Sequence, residues 1–140
     1  MTEQMILKKM ERITTRNAVV DWAIDSARGL LGELTVRRRA EALNLINLAE
    51  ACVSGSRSPT SLYEAATDSM LGEADIKDDS QRAVMQAVTA MAFVVDGAYS
   101  RPGSTEWLSI PRAMNALMDA TGRVRGSSEL VCGRLMQVID

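Results

Sequence analysis

Histidine is absent from all 140 residues, and that absence removes more chemistry than any other feature of the sequence. Imidazole most often serves as general base, proton shuttle and metal ligand near neutral pH, so histidine-dependent triads and histidine-ligated zinc sites are excluded. Only two cysteines occur, Cys52 and Cys132, 80 positions apart, without the close spacing of a zinc or redox site. Both fall in apolar helical patterns and read as small buried hydrophobes in a reducing compartment, while a disulfide between them depends on their separation in the fold. No arginine-led apolar segment opens the chain, and no apolar run reaches the ~18 to 20 residues that a bilayer span requires. No membrane contact and a cytoplasmic location are expected. A glycine-rich phosphate cradle is missing too. Cys52 has Glu50 and Arg57 near it in sequence but no base to activate it, and Asp21, Asp25 and Arg28 read as an exposed network. The expectation is a protein with no catalytic residue, no cofactor and no metal site.

What is present describes a soluble globular protein. Sixteen Lys and Arg stand against eighteen Asp and Glu, the formal charge is −2, and 46% of the residues are apolar, which suits one domain over residues 1–140 with a core of its own. The apolar positions recur at three- and four-residue steps and almost never alternate, so the class is all-α, with about six to seven helices. Thr2 caps a first helix to about Ile13, with Met5, Ile6, Met10 and Ile13 on one side. A second runs from Thr15 or Asn17 to Leu31 through Val19, Trp22, Ala23 and Ala27. Thr35 caps a third to Val53, with a predicted apolar stripe of Val36, Ala40, Leu43, Ile46, Ala49 and Val53. Pro59 opens a fourth, to Leu71, and Asp78, Asp79 or Ser80 caps a fifth over 80–99. Pro111 opens a sixth that Gly122 ends, and Ser127 or Ser128 caps a last one carrying Val131, Leu135, Val138 and Ile139.

The fifth helix is the most informative. From Ala83 to Val95 only Gln86 and Thr89 are polar, on one narrow face, so this alanine- and valine-rich segment is expected at the centre of a compact bundle. The echo of Leu31-Gly32-Glu33 in Leu71-Gly72-Glu73, offset by 40 residues, supports an alternative, a short α-solenoid of helical hairpins.

Three segments invite a functional reading. Arg37, Arg38 and Arg39 stand in the first turn of a helix, where the dipole disfavours cations. They form either a nucleic-acid contact or a solvated face paired with Glu33 and Glu41. The first 57 residues hold nine basic and seven acidic groups, a surplus of two that argues for the paired face. Residues 58–100 hold two basic and seven acidic groups; Glu73, Asp75, Asp78 and Asp79 do not follow a calcium-loop pattern, and an acidic face for a basic partner fits them better. The third segment spans Tyr99, Arg101, Trp107 and Arg112 across a connection broken by proline and glycine. These residue types dominate binding hot spots, although Trp107, and Tyr99 with it, could instead plug the helix ends. Met114 and Met118, four apart beside this segment, offer an adaptable contact surface or ordinary core filling. The first helix either docks on its own core or turns its Met5, Ile6 and Met10 face to a second copy, as a homodimer, or to a lipid surface, for which the two lysines and two arginines nearby argue weakly.

Several of these positions carry a family likeness: Trp22-Ala23 with Ala27, Arg39 with Ala42 and Ala49, the Gly55 connection, Leu62 with Ala65 and Ala66, and the run Ala83, Ala87, Ala90, Ala92. Over roughly residues 18–100 the chain resembles small all-helical bacterial immunity proteins, departing from them in its lack of histidine. The resemblance implies a non-catalytic protein of bacterial or phage origin that binds and inhibits a partner protein, such as a toxin or defence component, by stoichiometric contact. A nucleic-acid-binding or regulatory helical domain using Arg37 to Arg39 is the alternative, and a small enzyme the third.

Overall fold

A computed structural model describes residues 2–56 and 58–125 of the chain. Seven α-helices form among them: α1 (Glu3–Met10), α2 (Ile13–Arg28), α3 (Val36–Val53), α4 (Pro59–Gly72), α5 (Asp79–Ala98), α6 (Thr105–Leu108) and α7 (Ile110–Arg125), with single 3-10 turns at Leu31–Glu33 and Glu73–Asp75. Side-chain oxygens start five of them. Thr2, Thr35, Ser58, Asp78 and Ser104 accept from the N–H groups of Met5, Arg38, Ser61, Gln81 and Trp107, satisfying donors that the first turn leaves free. Gly55 ends α3 with φ near 80°, which lets Ser56 N–H reach the Ala51 carbonyl and Gly55 N–H the Cys52 carbonyl, a closure that favours glycine.

α5 lies at the centre of a helical bundle, with α2, α3, α4, α6 and α7 all packed on it. Its alanines let neighbours approach closely, and Val84, Val88, Met91, Val94 and Val95 are fully buried. The core continues through Trp22, Ala23 and Ala27 of α2, Leu45, Ile46 and Ala49 of α3, Leu62 and Ala66 of α4, and Ile110, Met114 and Leu117 of α7. One helix touching five others is a bundle, because solenoid repeats contact only their sequence neighbours. The hairpin-repeat alternative is therefore set aside.

Several boundaries depart from the sequence expectations. α1 stops at Met10, and Arg12 turns extended to start α2. Ile13, assigned to the first apolar stripe, is instead 68% exposed. On α3 the buried stripe is Ala42, Leu45, Ile46, Ala49 and Cys52, whereas Val36, Leu43 and Val53 face outward. Both stripes have helical spacing, and the one that meets α5 wins. α7 continues through Gly122 to Arg125; the glycine's helix penalty of about 1 kcal/mol is offset where Arg123 pairs with Asp119 at 3.4 Å and donates to Gln86 Oε1 at 2.7 Å. α6 was not anticipated. The expected final helix and Cys132 lie outside the described residues.

Candidate functional site

Among the described residues, the helices around α5 leave a seam open. α2, α3 and α4 follow one another around it, and α7 packs along it and against α2, but no comparable packing joins α4 to α7. A groove of about 530 Å³ lies between them, within the range of small-molecule and peptide-side-chain sites. Its floor is one stripe of α5, Gln86, Thr89, Ala90, Phe93 and Asp96; Tyr63 and Met70 wall it on the α4 side, and Arg112, Ala113 and Ala116 on the α7 side. Tyr63 and Phe93 meet edge to face with centroids 5.8 Å apart. Ser69 and Thr89 share a hydrogen bond of 2.9 Å that ties α4 to the floor.

The far end is built by a glycine. A Cβ at Gly97 would stand 2.6 Å from Ile110 Cγ1 and 2.7 Å from the Glu106 carbonyl oxygen, so only glycine lets α6 settle this closely on α5. That approach brings Glu106 beside Asp96. Asp96 is 3% exposed, and its carboxylate has no hydrogen-bond or ion-pair partner among the described residues. Burial, and then the nearby charge of Glu106, pushes its carboxyl up to about 6, as expected when a charged form loses water and meets a like charge. At the other end Glu73 Oε1 is buried without a partner. Burial raises that carboxyl as well, with the Thr89 hydroxyl acting in the opposite sense. The groove thus combines an apolar body with a carboxyl raised by burial at each end, Glu73 and Asp96.

The residues singled out in the Tyr99 to Arg112 segment separate in space. Trp107 is 3% exposed, packed under the Arg16 guanidinium, which lies 5.5 Å from its ring centroid and also donates to the Met10 carbonyl. It is the plug, and Met114 is buried core with it. Tyr99 is partly buried; burial first, then Asp21, raises its phenol, with Arg16 opposing. Met118 is partly buried against the core. Arg101 and Arg112 are exposed, and Arg112 alone of these six lines the groove.

Arg37 to Arg39 take the paired arrangement. Arg38 bridges to Glu41 at 3.3 Å and Arg37 to the same carboxylate at 4.0 Å, while Arg39 donates to the Leu31 and Leu34 carbonyls at 3.1 Å each. Glu33 uses its own carbonyl to accept from Gln81. Of the acidic group, Asp78 caps α5 and Asp79 pairs with Arg82. Arg28 pairs with Glu50 rather than with Asp21 or Asp25. Cys52 is buried, and its thiol donates to the Ser58 carbonyl. Burial raises the thiol, and Asp96 raises it further. On α1, Met10 is buried and Ile6 and Leu7 pack on the core, leaving Met5 half exposed. No described helix is long and apolar enough to cross a membrane.

Asp96 and Phe93 do not stand out in the sequence, since Asp96 directly follows the apolar run from Ala83 to Val95 and Phe93 lies within it. The signal was there: Gln86, Thr89, Phe93 and Asp96 fall at steps of three, four and three on one face of α5, the polar face of an otherwise buried helix. No family model, no curated protein and no solved structure matches the chain.

Proposed function

We propose that this chain is a non-catalytic protein-binding module that neutralises or inhibits a partner by stoichiometric contact, in the manner of the immunity proteins it resembles, and that it does so by seating a helical segment of the partner in the α4–α7 seam. One observation carries the reading: among the described residues no helix fills the seam between α4 and α7, where Phe93 is partly exposed and Tyr63 and Met70 are nearly half exposed. Apolar patches rimmed by charge are where partners dock, and an amphipathic helix laid in a groove is a recurrent mode of recognition.

The test is a plug. Ala116 is exposed on the groove wall, so Ala116→Trp fills the seam without entering the core. A protein captured by the tagged chain from its host at one-to-one stoichiometry should be lost with Ala116→Trp and retained with Arg37→Ala. Retention in the plugged variant would refute the seam as the contact surface.

A further inference from the structure

We infer that the end of the groove at Asp96 is a recognition site for an amphipathic organic cation, an apolar chain or ring carrying one ammonium or guanidinium group. The head would meet Asp96, with Glu106 beside it, and the body would lie on Phe93, Ala90 and Ala113. This rests on the docking reading in one respect: in a seated partner helix, a lysine or arginine side chain supplies that cation.

Three observations converge. First, Asp96 is a residue 3% exposed whose carboxylate opens onto the groove and has no partner among the described residues. Buried charges are otherwise paired, and no described side chain of the chain pairs with this one. Second, the charges lining the groove do not cancel. Glu73, Asp96, Glu106 and Asp119 face Arg112 and Arg123; Arg123 is committed to Asp119 and Gln86, and Arg112, exposed at the mouth, makes no ion pair. The uncommitted balance is acidic at the buried end. Third, the surface next to that end is aromatic and small-aliphatic. The Tyr63–Phe93 pair suits the methylene stem of a long cationic side chain, and its ring faces attract the cation itself.

An anionic ligand fits poorly, because it would bring further negative charge to two adjacent carboxylates with only Arg112 to receive it. A purely apolar ligand would bury Asp96 still more deeply without pairing it. A cation relieves both difficulties, and the ion pair it makes is charge-assisted and screened from water.

The experiment compares two probes of nearly equal shape, 4-phenylbutylammonium and 4-phenyl-1-butanol, titrated into the full chain at about pH 7.5, where Asp96 is ionised, and followed by amide chemical shifts. The ammonium should bind at least about ten-fold more tightly than the alcohol, moving amides of residues 89–97 and 105–116. Asp96→Asn should erase the preference for the ammonium over the alcohol, and Glu106→Gln should reduce it in part. Equal affinities in the native chain, or a preference that survives Asp96→Asn, would overturn the inference while leaving the seam as a docking surface. Shifts confined to residues outside the groove would overturn it as well. If neither probe moves groove amides, the inference is overturned, while the docking reading is judged separately by Ala116→Trp. The comparison of probes on the native chain requires no variant to fold.

Discussion

Replacing Asp96 by asparagine should make this protein more stable near neutral pH. The carboxyl titrates at about 6 in the fold against an ordinary value of 3.8, so between those two pH values the folded state binds more protons than the unfolded one. Stability therefore falls as pH rises through that window, and the whole cost is present above it. At about 1.4 kcal/mol per pH unit, holding Asp96 ionised in the fold costs about 3 kcal/mol. Asparagine is nearly the same shape and never charges, so Asp96→Asn should recover about 2 to 3 kcal/mol at pH 7.5, less whatever an unpaired amide costs there. For a chain of this size the gain corresponds to a rise in Tm of about 10 °C. The gain should shrink toward zero near pH 4, where Asp96 is protonated in the fold. Glu106 of α6 and Cys52 of α3 are the titratable groups acting with Asp96, and Tyr63 and Arg112 line the same groove; Glu106→Gln should give a smaller gain in the same direction. Urea denaturation of both variants at several pH values measures all of this. Asp96→Asn destabilising the protein at pH 7.5, or a gain equal at pH 4 and 7.5, would refute the account of an uncompensated buried charge.

Gly97→Ala should be destabilising by about 1 to 3 kcal/mol, because the new methyl meets Ile110 and the Glu106 carbonyl at less than 3 Å, and the lost approach of α6 should lower the Asp96 pKa with it, readable by carboxyl NMR titration. Trp107→Ala should destabilise by about 3 to 5 kcal/mol, whereas Arg112→Ala, exposed and without an ion pair, should stay within about 0.5 kcal/mol of the native chain; thermal denaturation separates the two. Arg39→Ala removes the donor to two carbonyls and should cost about 1 kcal/mol, while Arg37→Ala, whose side chain is 87% exposed, should cost almost nothing.

The fold was legible wherever a local rule and the tertiary environment agreed. Thr2 and Thr35 are readable as caps, and Asp78 as one of three candidates with Asp79 and Ser80, because a side-chain oxygen beside an apolar run has few other uses, and α5 is readable as central because thirteen residues with two polar positions cannot face water. Agreement failed where periodicity had two solutions. On α3 a stripe through Val36, Leu43 and Val53 and a stripe through Ala42, Leu45 and Cys52 both share Ile46 and Ala49 and both are helical, and only contact with α5 selects between them. α6 is a single turn, too short for any periodic signal, and it depends on the Ser104 cap and on space at Gly97. The candidate site was hidden for a related reason. Its aromatic and arginine residues were sought in one loop, whereas the groove is assembled from α4, α5, α6 and α7, and the residue that defines it, Asp96, is notable only once its burial and lack of a partner are known.

The most direct measurement of the central claim is amide hydrogen exchange on the chain alone and in complex with its partner. Occupation of the seam predicts slowed exchange in residues 63–73 and 105–123, with residues 3–13 and 36–44 unchanged. Protection centred on α1 or on the outer face of α3, with the α4 and α7 segments exchanging as in the free chain, would contradict it.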